Sequence, residues 1–169
     1  FRATVRLNRN LGAMPISGDN GATLISGYQD SIDAMASAIR EATEYVHVEF
    51  YILQADATTE SFFAAMEEAA SRGVKVRVLL DHWANRGKPL YKQTLKRLTY
   101  MRAAWHLMLP VQPFRGAYTR PDLRNHRKLL VVDGRVAFTG SQNVTDSTYN
   151  LKKYIRRGLH WVDMMTRVD

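Results

Sequence analysis

The chain has 169 residues, a formal charge of +8, 46% apolar and 24% charged residues, and no cysteine. This length and composition fit one folded domain and exclude an intrinsically disordered chain. The absence of cysteine excludes disulfides, thiolate metal sites and a cysteine nucleophile, while the positive charge favours anionic partners such as phosphorylated substrates, lipid head groups or nucleic acid.

Residues 1–21 are polar, with Pro15, Gly18 and Gly21, and read as an N-terminal arm or linker to a single domain over 22–169. Ala22–Ser26 is a short strand. Gln29–Thr43 carries Ile32, Met35, Ala36 and Ile39 at helical spacing, with Asp30 or Ser31 as its cap. The β-branched and aromatic run YVHVEFYIL (45–53) is a strand, Thr58–Arg72 a helix capped by Thr58 or Thr59 and ended by Gly73, and VKVRVLL (74–80) a second strand. Lys88–Ala104 is a basic helical stretch, and Trp105–Phe114 is apolar and broken by Pro110 and Pro113. Lys128–Val132, Arg135–Thr139 and Trp161–Val168 are strands. Alternating strands and helices followed by a hairpin predict an α/β fold, a mixed β-sheet flanked by helices on both faces. The apolar runs fall short of the roughly 18 residues of a membrane span. The chain opens on Phe1 and stops at Asp169 inside a strand-like run, which reads as one piece of a longer protein.

The chemistry concentrates in NHRKLLVVDGRVAFTGSQN (125–143). Asp133-Gly134 between two apolar runs predicts a two-residue type I′ hairpin. In that register Val132 faces Arg135, Lys128 faces Thr139 and His126 faces Ser141. Alternation along the strand puts His126 and Lys128 on one face with Ser141 and Asn143, and sends Leu129, Val131, Val136 and Phe138 to the other face as core. A neutral imidazole is a competent nucleophile toward phosphorus, and an adjacent ammonium supplies fixed charge for the phosphoryl oxygens, as would donors on Ser141 and Asn143. This chemistry requires neither metal nor cofactor. Asp133, at the far end of the turn, reads as a turn former that does not touch substrate.

The joint pattern of His126, Lys128, Asp133, Gly140, Ser141 and Asn143 resembles the HKD signature of the phospholipase D superfamily, at every spacing. VHVEFYIL, GVKVRVLLD, LRNHRKLLVVDGRVAFTGSQNVTD and HWVDMMTRVD are similar to the N-terminal catalytic half of bacterial cardiolipin synthases, from about Met14 onward. The resemblance implies a phospholipase D-like α/β sandwich, with His126, Lys128 and Asp133 as the catalytic set. It also implies a phosphohistidine on His126 and transfer of a phosphatidyl group from one phosphatidylglycerol to another. One motif stands here where two are expected, since His47, His82, His106 and His160 lack a lysine two residues on. The partner half would come from the same parent chain or from a homodimer, and the parent protein would sit at the bacterial cytoplasmic membrane.

Asp163, a polar interruption in WVDMM, is expected to accept a hydrogen bond from His126 and hold its tautomer, or else to face solvent. Glu49 and Tyr51 are expected to line the pocket, unless Glu49 pairs with a cation. KKYIRR (152–157) reads as a solvated helix face or a contact for anionic lipid heads, Trp83 and Trp105 as core or rim, and His82 as near the pocket mouth. Two other functions stay open. One is a homodimeric phosphodiesterase or nuclease, nucleic acid being the less favoured substrate. The other is a non-catalytic phosphate-binding module.

Overall fold

A mixed seven-stranded sheet runs in the order β1 (Ala22–Ile25), β9 (Met165–Val168), β8 (Val136–Gly140), β7 (Lys128–Val132), β2 (Tyr45–Phe50), β3 (Lys75–Asp81) and β4 (Ala104–Met108). The structure, a computed structural model, describes residues 2–12, 18–112 and 116–169. Pro15 of the arm, the break at Pro113 and the Phe114 end of the apolar stretch lie outside those residues. β2 pairs in parallel with β3, and β3 with β4; the pairings of β2 with β7, β7 with β8, β8 with β9 and β9 with β1 are antiparallel. A small ribbon of β5 (Val111–Gln112) and β6 (Ala117–Tyr118) stands apart.

Strand alternation decides what is buried. Val46, Val48 and Phe50 of β2, Val76, Val78 and Leu80 of β3, and Leu130 and Val132 of β7 point to one face and form the core. Onto it α2 (Tyr28–Arg40) lays Ile32, Met35, Ala36 and Ile39, and α3 (Glu60–Ser71) lays Phe62, Phe63 and Met66. Leu98 of α5 (Tyr91–Tyr100) joins the same cluster. Each such fully buried side chain is worth about 1.5–3 kcal/mol of transfer free energy. The opposite face carries His47, Glu49, Leu79, His106, Leu129 and Val131 around an open cavity of about 410 Å³, where Arg77 Nη1 lies 2.8 Å from His47 Nε2.

Several local expectations are corrected. α2 starts one turn before its expected caps: Gly27 is the N-cap, and the Ser31 hydroxyl, inside the helix, donates to the Gly27 carbonyl at 2.9 Å. Thr59 stands at the N-cap of α3, but its hydroxyl donates to the Gln54 carbonyl at 2.7 Å and closes the preceding turn instead. Within the arm, α1 (Arg2–Gly12) is helical and buries no residue. A short α4 (His82–Arg86), capped by the Asp81 carboxylate on Ala84 N–H at 2.8 Å, was not anticipated. The last strand is confined to Met165–Val168, so Trp161–Met164 is not part of the sheet.

The hairpin register also differs, by one residue. Asp133 (φ 51°) and Gly134 (φ 66°) make the expected turn, and Arg135 N–H donates to the Val132 carbonyl at 3.0 Å. The ladder closes, however, with Val132 opposite Val136, leaving Arg135 as an extra residue in the manner of a bulge. Phe138 therefore sits opposite Leu130 in the core, on the face of Lys128, while Leu129 and Val131 turn to the half-exposed face. Arg135 is drawn out by its own ion pair, Nη2 to Asp133 Oδ2 at 3.0 Å.

Candidate active site

The site lies where β2 and β3 end and β7 begins, outside the carboxyl ends of the two parallel strands, as is usual for open α/β sheets. Lys128, opposite Phe50, is buried to 7% exposure at the end of the core face. Its ammonium donates to the His126 carbonyl at 2.6 Å and lies 3.4 Å from His126 Nδ1. An ammonium only donates, so this contact suits a ring nitrogen that presents its lone pair. His126 is exposed, in the extended segment just before β7, and its ring packs on Tyr51 at 3.9 Å between centroids. Burial first and the Lys128 charge second lower the His126 pKa below the ordinary histidine value, against a smaller opposing effect of Asp81. Burial likewise lowers the Lys128 pKa, and the Asp163 charge opposes it. The result is a neutral imidazole reachable from solvent beside a cation.

The segment that carries His126 is fixed on both sides. Arg124 Nη1 pairs with the wholly buried Asp81 at 3.3 Å and donates to the Leu109 carbonyl at 2.9 Å. Asn125 Nδ2 donates to Glu49 Oε1 at 2.5 Å. Glu49 therefore neither lines the site directly nor pairs with a cation; it holds the residue next to His126. Asp81 and Arg124 were not singled out from the sequence, although a carboxylate closing the apolar strand VKVRVLLD was the available signal.

The other expected residues are distributed differently. Ser141 is exposed beyond the end of β8 and is tied to Met164, donating its N–H to the carbonyl at 3.0 Å and accepting from Met164 N–H at 3.1 Å. Asn143 is buried outside any strand: its Oδ1 accepts from Ile52 N–H at 3.0 Å and its Nδ2 donates to the Tyr149 hydroxyl at 2.9 Å. The expected facing of Ser141 and His126 fails because of the register shift. Asp163 is buried rather than facing solvent, but makes no hydrogen bond to His126. Its Oδ2 has no partner, and its charge bears on Lys128. His82 is buried, accepting from Val111 N–H at 3.0 Å through Nδ1. Trp105 donates to Thr99 Oγ1 at 3.0 Å, while Trp83 is exposed.

Asp133 lies at the far end of β7 from Lys128. One carboxylate oxygen accepts from Thr43 N–H and hydroxyl at 2.8 and 2.9 Å, the other from the N–H groups of Glu44 and Tyr45 at 2.9 and 2.8 Å. Burial by itself would raise its pKa, but these donors outweigh it and hold the carboxyl well below the usual range. In that place it pins the hairpin to the start of β2, the turn-forming role read from its position in the sequence. Among the described residues no group of three or more His, Asp or Glu side chains is arranged to hold a metal ion, and no helix is long and apolar enough to cross a membrane.

A buried lysine thus stands beside an exposed histidine at the open end of a mixed sheet. Residues 35–154 match the family described as cardiolipin synthase, PLD-like domain, and the chain belongs to that family. It is 33% identical over 153 residues to cardiolipin synthase A of Proteus mirabilis, covering 89% of this chain and 30% of that protein. The chain thus spans less than a third of the length of the curated relatives it matches first. The fold is also that of the phospholipase D family member Nuc from Salmonella typhimurium (TM-score 0.63, 18% identity, 89% of this chain and 82% of that one). It is shared as well by phosphatidylserine synthase of Haemophilus influenzae (TM-score 0.65, 16% identity, 96% and 36%).

Proposed function

We propose that residues 22–169 form one half of a phosphatidyl-transfer site that makes cardiolipin. The observation that carries this reading is the pairing of Lys128 Nζ with His126 Nδ1 at 3.4 Å, with the imidazole held neutral and exposed. An anionic phosphodiester seated there would draw the ammonium to its oxygens. His126 Nδ1, released by the ammonium, would attack phosphorus with its lone pair and form the N–P bond of a phosphohistidine as the bond to the glycerol oxygen breaks. A second imidazole would protonate the departing glycerol, and the hydroxyl of a second phosphatidylglycerol would then take the phosphatidyl group from His126. The cardiolipin synthase relatives support this choice of substrate.

The second imidazole has to come from another half-domain. His47 is engaged with Arg77, His82 is buried against Val111 and Gln112, His160 pairs with Ser147, and His106 lines the half-exposed sheet face. The whole enzyme would act at the bacterial cytoplasmic membrane.

The test is incubation of the full-length enzyme with phosphatidylglycerol, following cardiolipin and free glycerol, with acid-labile phosphate on protein trapped by quenching. His126→Asn should abolish the label and leave the melting temperature unchanged. Phosphatidic acid in place of cardiolipin would mean that water is the acceptor, and labelling that persists in His126→Asn would move the nucleophile to the other half.

A further inference from the structure

Large apolar side chains crowd the surface between α6 (Lys152–Ile155) and β9. Ile155, Leu159, Trp161, Val162 and Met164 are all exposed, Val162 to 88%. They form a shaped ridge. Gly158 (φ 61°) ends the helical turn, and Leu159 N–H returns to the Tyr154 carbonyl at 3.0 Å, so the chain doubles back. Lys152, Lys153, Arg156 and Arg157 flank the ridge and are exposed.

The ridge is tied to the candidate site. Trp161 packs edge-on against Tyr149 at 5.8 Å, and Tyr149 accepts from Asn143. Met164 exchanges two hydrogen bonds with Ser141, and Asp163 between them is buried with its charge on Lys128.

We infer that this ridge docks on the surface of an anionic phospholipid bilayer and seats the His126 side of the molecule against it. Tryptophan and aliphatic side chains enter the boundary between head groups and acyl chains, while flanking cations meet the negative surface. The charge pattern favours lipid over protein. The centre of a protein interface is depleted in charge, and a two-fold contact of the ridge with itself would set four cations against four. The inference takes its choice of lipid from the phosphatidyl-transfer reading, but its test measures binding without turnover, so either can fail while the other stands.

The 169-residue chain is sedimented with vesicles of phosphatidylcholine alone and of mixed phosphatidylcholine and phosphatidylglycerol, at low and high salt. Binding is expected to the mixed vesicles and to weaken with salt. Lys152→Gln with Arg157→Gln should lower the partition coefficient about 30-fold, as removal of two surface cations predicts. Ile155→Ser with Val162→Ser should lower it about tenfold. All four positions are exposed, so thermal melting should not change. Failure of the parent chain to bind overturns the inference. So does binding by both double variants equal to that of the parent chain, which would assign any attachment to another surface, such as the exposed Arg2, Arg6 and Arg9 of α1. A shift in self-association in place of vesicle binding would also overturn it and make the ridge a protein interface.

Discussion

Lys128 and Asp133, five positions apart in one motif, do different work. Lys128 lies against His126, and in the proposed reaction its removal should act on rate. Lys128→Ala in the full-length enzyme should lower kcat/KM about 10²- to 10³-fold, the usual cost of one preorganised charge or donor at a developing anion. The pH profile adds a readout that mere unfolding would not move. With its pKa lowered, His126 stays neutral below the ordinary histidine pKa, so the acid limb should fall below about 6.5. Because the Lys128 charge is the second cause of that lowering, the limb should rise in Lys128→Ala, though not fully, since burial remains. Asp133, by contrast, should act on stability. Asp133→Asn should cost about 3 kcal/mol in denaturant unfolding, the order of one or two lost hydrogen bonds to a charged group. Since the folded pKa is depressed, this stabilisation is present above the unfolded value of about 3.9 and is lost as pH falls through the lower folded value. The parent chain should therefore lose more stability than the variant in that acid window, since Glu60 and Asp146, also depressed, titrate in both.

At the scale of elements, Gly140 shows why the motif needs a glycine where β8 meets β9. A Cβ there would lie 2.2 Å from the Met164 carbonyl oxygen and 2.9 Å from Met165 Cα, both backbone atoms unable to yield cheaply. Gly140→Ala should cost about 1–3 kcal/mol and loosen the Ser141–Met164 pairing, seen as faster amide exchange of Ser141. The order of elements and the core stripe of α2 were legible because periodicity states them directly. The position of His126 beside Lys128 was legible because two residues of extended chain keep one face. The register was not. An Asp-Gly turn specifies its own dihedral angles, but whether the next residue pairs or bulges depends on Arg135 finding Asp133, and on Asp133 finding Thr43, some 90 positions away. The partners of His126 were hidden for the same reason, since Asp81 meets Arg124 only through the tertiary fold.

For the molecule as a whole, the two faces of the sheet are unlike. One is sealed by α2, α3 and Leu98, and the other is only partly covered. The outermost pairing spans nearly the entire described domain: β1 lies against β9, and Gly21 and Asp169 exchange backbone hydrogen bonds at 3.0 and 3.1 Å. This sets the order of assembly. Helices and the parallel pair β2–β3 join neighbouring stretches of chain, whereas β1 cannot dock until the final strand exists, a non-local closure of the kind that slows folding. During synthesis β1 would emerge first among the strands and wait longest for a partner, its unpaired edge open to other chains. Deleting residues 165–169 should leave β1 unpaired, abolish the single cooperative transition in calorimetry, and raise aggregation on refolding.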